Sequence, residues 1–156
     1  FEIPAHQFID LYRKNMHLAP LHAEAMEMLD HFKNLGYRQI ILSAMEQDFL
    51  ADTLKTKGIY DYFEKVAGIT NHLGEGKLYL ARELMAELNI DSANVVMIGD
   101  TVHDFEVASG SGIPCILVAQ GHQAFHRLLT LNCLVVNRLA DLKYVLTDSS
   151  LVNDNM

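Results

Sequence analysis

At 156 residues, half of them hydrophobic, the chain is long enough for one domain with a real core and too apolar to be disordered. Twelve basic against twenty acidic residues give a formal net charge of −8, which argues against a nucleic-acid backbone as the main partner. No apolar run approaches the ~18 residues of a membrane span, and no signal-peptide pattern stands at the start. Cys115 and Cys133 both sit in apolar runs and read as buried free thiols of a reducing, cytoplasmic setting.

In chain order, Ile3 to Met16 has apolar residues at helical spacing and reads as a helix, broken by His17-Leu18-Ala19-Pro20. Leu21 to Leu35 reads as a second helix with Ala25, Met26, Leu29 and Phe32 on its apolar face, capped by Gly36. Arg38 to Ser43 is predicted as a buried strand, Gln47 to Lys57 as a helix closed by Gly58, and Lys65 to Ile69 as a short strand. Lys77 to Leu88 is a strongly periodic helix with Leu80, Leu84 and Leu88 in line. Val95 to Gly99 reads as a strand buried on both faces, delivering Asp100 to its carboxyl end. A short helix from Asp104 to Ser109, a strand from Pro114 to Ala119, a helix from Gln123 to Leu131, a strand from Cys133 to Val136 and a helix from Leu139 to Leu146 follow. The tail from Thr147 is polar. Alternation of strand and helix from Arg38 onward predicts an α/β fold, a parallel sheet with helices on both faces.

Open sheets of this kind bind ligands at the carboxyl ends of their strands. Three such places carry polar groups. Ser43 ends the first strand, where its hydroxyl and the N–H groups that follow, starting at Ala44, suit a phosphate oxygen; it also suits an ordinary turn. Lys77 opens a helix after Gly74-Glu75-Gly76, where the helix macrodipole disfavours a cation unless an anion sits in front of it. The segment is not a P-loop, because Asn71 and Leu78 stand where Gly and Ser or Thr are needed. Asp100 and Asp104 follow Gly99 and suggest a hard cation with oxygen ligands, Mg²⁺, although Asp is also a common helix cap. His122 and His126 have the spacing of a zinc pair but lack a third ligand and read as surface histidines.

The order strand-Ser43, Lys77 at a helix start, then Gly99-Asp100-Thr101-Val102-His103-Asp104 resembles the haloacid dehalogenase superfamily. Gly58-Ile59-Tyr60-Asp61-Tyr62-Phe63, the run from Gly112 to Val118, and Gly121-His122 are similar to phosphoglycolate-phosphatase-type members, and the resemblance covers about Pro20 to Leu146. It implies a three-layer, Rossmann-like core and a Mg²⁺-dependent phosphatase of small phosphate monoesters that works through an aspartyl-phosphate intermediate. It implies that Ser43, Ala44 and Lys77 meet the phosphate, that Asp100 ligates the metal, and that Asp104 holds Lys77 or the metal's water shell. Ala44-Met45 departs from the family, where a polar residue often follows the serine.

The family also needs an Asp-x-Asp pair at the end of a central first strand, and the chain contains no Asp-x-Asp. Asp10 and Asp30, the aspartates before Ser43, lie in predicted helices. The expectation is a truncated chain, inactive alone, with the nucleophile strand absent from the middle of the sheet. Residues 1–19 then read as the remnant of a helical cap, 20–147 as an incomplete core, and 148–156 as a polar tail. The alternative is a degenerate module that binds phosphate or metal without hydrolysis. Substrate identity and oligomeric state stay open; no membrane partner is expected.

Overall fold

The computed structural model describes residues 5–70 and 76–146. The polar tail and the Gly74-Glu75 turn lie outside the described residues. The first helix, α1 (Ala5–Asn15), runs into a 3₁₀ turn at Met16–Leu18. It leans on the start of α3 (Gln47–Thr56), where Arg13 stacks 5.2 Å above the Phe49 ring and reaches Glu46 at 3.7 Å.

The second helix, α2 (Ala25–Asn34), begins four residues later than the periodicity suggests. Its buried side chains are Met28 and Phe32, whereas Met26, expected on the apolar face, is 39% exposed. Gly36 takes φ +82° beyond the helix end, a left-handed turn that favours glycine. Strand β1 (Ile40–Glu46) pairs in parallel with β2 (Lys65–Ile69), with Ile40 opposite Lys65 and Leu42 opposite Ala67, and the register slips between Leu42 and Glu46. Ser43 and Ala44 therefore lie in this irregular stretch within β1, not beyond its end.

Helix α4 (Lys77–Leu88) matches the predicted bounds and ends on Asn89 in the left-handed region. Strand β3 (Met97–Gly99) leads to α5 (Val102–Ser111), which runs two residues beyond the expected Ser109 and stops at Gly112, φ +68°. Strands β4 (Cys115–Val118) and β5 (Leu134–Val136) complete a parallel sheet in the order β3-β4-β5. Between them α6 is a single turn, Phe125–Leu128, shorter than the predicted nine residues. A 3₁₀ turn at Leu139–Asp141 leads into α7 (Leu142–Leu146).

The parallel strands are present, but they form two sheets, β1-β2 and β3-β4-β5, and β1 does not pair with β3. Each sheet has its own core. Leu50, Leu54 and Ile59 pack with Ile41 and Val66 beside the first. Met28 and Phe32 pack with Ile116, Val118, Val136 and Leu142 beside the second. The expectation that β3 is buried on both faces fails at Ile98, which is 42% exposed. A parallel strand is buried on both faces only where other elements cover both, and Ile98 instead lines the groove between the sheets. Among the described residues no helix is long and apolar enough to cross a membrane. Cys115 and Cys133 are unbonded and partly buried. Burial, with Cys133 close by, pushes the Cys115 thiol up to about 12.

Candidate active site

The turn from β3 into α5 is built by its own side chains. Thr101 caps α5: its Oγ1 accepts from the Asp104 N–H at 3.1 Å and donates to Asp104 Oδ2 at 2.8 Å. Asp104 Oδ2 also accepts from the N–H groups of Asp100, at 3.0 Å, and Thr101, at 3.1 Å. Its other oxygen, Oδ1, accepts from Lys77 Nζ at 2.5 Å. Four donors thus converge on this one carboxylate, three on Oδ2 and one on Oδ1. Asp104 is therefore a scaffold that ties the amino end of α4 to that of α5.

The pair is well shielded, with side-chain exposures of 15% for Lys77 and 9% for Asp104. Burial alone would raise the Asp104 carboxyl. The hydrogen bonds from Lys77 and Thr101, the Lys77 charge and the Asp100 N–H outweigh it and hold the group below its usual range. Lys77 also helps to line the groove beside the pair.

Asp100 is the opposite case. Among the described residues its carboxylate receives no hydrogen bond and no ion pair, although the side chain is half-buried. The loop after β4 comes close to it: a Cβ added to Gly121 would lie 1.9 Å from Asp100 Oδ2. Gly99 is equally hemmed in, its added Cβ falling 2.3 Å from the Asp104 Cβ. From the same loop Gln123 Oε1 accepts the Val102 N–H at 2.8 Å, occupying another free donor at the start of α5.

Ser43, on β1, shares no hydrogen bond with this cluster among the described residues. Its Oγ accepts from the Met45 N–H at 3.1 Å, so the nest expected around Ala44 is partly closed by the serine itself. Glu46 then caps α3, accepting from the N–H groups of Asp48 and Phe49. The structure thus brings together Lys77, Asp100, Thr101 and Asp104, with Ser43 on the other sheet. His122 and His126 are exposed, and among the described residues no three His, Cys, Asp or Glu side chains cluster as a metal cage.

A family model described as haloacid dehalogenase-like hydrolase matches residues 3–118, which spans α1 to the end of β4. The chain belongs to that family. Two curated phosphoglycolate phosphatases are similar to this haloacid dehalogenase-like chain. That of Neisseria gonorrhoeae is 31% identical over 91 residues, covering 58% of this chain and 39% of its own length. That of Thiobacillus denitrificans is 26% identical over 98 residues, covering 62% and 43%. The chain thus spans about two-fifths of the length of these relatives. Among solved structures, a predicted phosphatase from Clostridium acetobutylicum superposes with a TM-score of 0.82 at 25% identity, covering 89% of this chain and 68% of that one.

Sequence reasoning missed three contributors to the site. Thr101 had a readable signal, since Thr101-Val102-His103-Asp104 has the spacing of a capping box. Gly121 and Gln123 had none: their place follows from how the β4 loop folds back over the β3–α5 turn.

Proposed function

We propose that these residues are part of a site that hydrolyses small phosphate monoesters with Mg²⁺, and that the 156-residue chain is inactive alone. The observation that carries the reading is the contrast between the two carboxylates. Asp104 accepts four hydrogen bonds, one of them from Lys77, while the Asp100 carboxylate, four residues earlier, accepts none among the described residues. Mg²⁺ is commonly held by one or two carboxylates, with waters and a substrate phosphate completing its shell. Asp100 fits the role of the direct ligand, and Asp104 that of a positioning residue. Bound there, the ion would offset charge on the phosphoryl oxygens.

Lys77, fixed by Asp104, places its ammonium where it neutralises the phosphate and the carboxylate that attacks it. Ser43 and the Ala44 N–H hold phosphoryl oxygens from the side of β1 once the Met45 contact opens. An aspartyl-phosphate route needs one carboxylate to bond phosphorus as the ester P–O bond breaks, and a second to give the leaving alcohol its proton. The chain has no Asp-x-Asp to supply them. Residues 1–19 read as part of a helical cap, since Leu11 and Leu18 lie well exposed. Unbonded Cys115 and Cys133 suit a reducing cytoplasm. The printed activity of the two curated relatives points to phosphoglycolate or a similarly small ester.

The test is turnover of p-nitrophenyl phosphate with Mg²⁺. The 156-residue chain should release no product; measurable release overturns its inactivity. A longer form that carries an Asp-x-Asp strand should turn over, and Asp100→Asn in that form should lose on the order of 10²-fold or more in kcat. An unchanged rate would remove Asp100 from the site.

A further inference from the structure

Cys115 opens β4 and Cys133 stands directly before β5, and both are unbonded and partly buried. The parallel register of these strands sets Ile116 opposite Leu134 and Leu117 opposite Val135. One step back along it, Cys115 faces Cys133. Side chains alternate across a strand. Both cysteines therefore lie on the face of Leu117 and Val135, opposite Ile116, Val118 and Val136, which enter the core with Met28. Their thiols meet, with the Cys115 S–H donating to the Cys133 sulfur.

Register-matched residues of neighbouring strands are about 4.8 Å apart, inside the roughly 4.4–6.8 Å between Cα atoms that a disulfide spans. Bringing the Cβ atoms to disulfide distance needs a small backbone shift, and Cys133 is free to make it. Its N–H bonds the Leu131 carbonyl two residues back, at 2.9 Å, and takes no part in the ladder with β4. Exposed Asn132 and Leu134 flank it, so a small oxidant can reach it. A structural zinc fits poorly. It takes four ligands, and among the described residues no third His, Cys, Asp or Glu joins the pair. Burial raises both thiols. The Cys133 sulfur raises Cys115 further, whereas the S–H that Cys115 donates lowers Cys133. Cys133 is thus the readier thiolate, and Cys115 is placed to resolve what forms on it.

We propose that Cys115 and Cys133 are a reversible oxidation site, at which a peroxide joins the two sulfurs in a disulfide between β4 and β5. The Cys133 thiolate attacks one peroxide oxygen and the O–O bond breaks. This leaves a sulfenic acid on Cys133 and a hydroxide that takes up a proton as water. The Cys115 sulfur gives up its proton and displaces hydroxide from the Cys133 sulfur. The S–S bond forms, the S–O bond breaks, and a second water leaves. The two thiols together lose two electrons, and the peroxide gains them. The bond closes residues 115–133 into a loop that holds Gly121, against Asp100, and Gln123, on the Val102 N–H. Oxidation therefore stiffens the segment over the β3–α5 turn. The proposal stands independently of the phosphatase reading.

The test treats the 156-residue chain with a small excess of hydrogen peroxide at about pH 9, where more thiolate is present, beside reduced glutathione as a reactive control. The two free thiols, counted in denaturant, should fall to none and return with dithiothreitol. Intact mass should show the loss of two hydrogens, and peptide mapping should place the bond between Cys115 and Cys133 within a monomer. Cys115→Ser should trap Cys133 as a sulfenic acid that dimedone labels. Cys133→Ser should leave Cys115 to oxidise roughly tenfold or more slowly than Cys133 does in the other variant. In the oxidised parent, amide hydrogen exchange at residues 119–124 should slow roughly threefold or more. Thiols that persist while glutathione is consumed, or a bond found only between two chains, overturn the proposal. So does Cys133 carried on to the sulfinic acid with Cys115 still free. Faster labelling of Cys115 than of Cys133 overturns the assigned order, and unchanged exchange at residues 119–124 overturns the stiffening.

Discussion

The two sheets of this molecule differ in how far each has closed its own core. The four large side chains that are essentially inaccessible, Val107, Leu117, Leu128 and Leu142, all belong to the half around β3, β4 and β5. The half around β1 and β2 has a thinner cluster, in which Leu50, Leu54 and Ile59 are surrounded by partly exposed neighbours. Helix α2 packs against both halves, and side chains tie them elsewhere. Lys77 reaches Asp104, Arg82 donates to the Gly110 carbonyl at 2.7 Å, and the Tyr37 hydroxyl donates to the Leu146 carbonyl at 2.7 Å. The comparison teaches that Asp100 and Asp104 sit on the self-sufficient half. Ser43 sits on the half that leans on its partner.

The largest effects should come from the cores, and they should be unequal. Leu117→Ala empties a site with no exposed surface and should cost about 4 kcal/mol, near the top of the range for buried leucines. Leu54→Ala, in a cluster that can relax toward solvent, should cost about 2 kcal/mol. Urea denaturation of both variants measures the difference. Equal losses would mean that the two halves fold as one cooperative unit with a shared core.

Next comes the tie itself. Lys77→Ala leaves the Asp104 carboxylate buried with its charge unmatched, and should cost about 3 kcal/mol, the low end for breaking a buried pair. If the halves are joined chiefly here, Lys77→Ala should also split the urea transition as seen by tyrosine fluorescence and by circular dichroism. Coincident curves would show that the packing of α2 and the other ties suffice to couple them.

The pH dependence is smaller and has a definite sign. Asp104 titrates lower in the folded chain than in the unfolded one, where a carboxyl is near 3.9. Its contribution is therefore complete above about pH 4 and is lost as the pH falls through the depressed folded value. Asp104→Asn should lower the melting temperature at pH 7, and the gap to the parent should narrow as the pH falls below about 4. A gap that stays constant would mean the carboxylate charge is not what stabilises the turn.

Much of this was legible in the residues, and the failures have physical causes. Gly36 and Gly58 ended helices as expected, and Gly112 ends α5 likewise, because a left-handed φ beyond a helix end favours glycine. The bounds of β2 and α4 were right because strong periodicity lies between clear breakers. Thr101 and Asp104 formed a local capping box, so that half of the site was written in four residues. Ile98 was misjudged because burial depends on neighbours that one strand's sequence does not contain. Gly121 was missed because its nearness to Asp100 arises from a loop twenty residues away.

The smallest predicted effect tests that same limit on α2. Periodicity placed Met26 with Leu29 and Phe32, yet the helix turns Met28 inward, at 3% exposure, and leaves Met26 outside. The reason is that α2 packs against two things at once. Met28 and Phe32 enter the core of the β3–β5 half, while Leu29 on the adjoining stripe meets the β1–β2 half. A helix wedged between two cores has a wide buried face, and a pattern of five apolar residues does not say where its edge falls. Met26→Ala should therefore change stability by no more than about 0.5 kcal/mol, while Met28→Ala should cost about 2–3 kcal/mol. Comparable losses in urea denaturation would place the edge of that face beyond Met26 and make α2 a broader bridge between the halves than its contacts show.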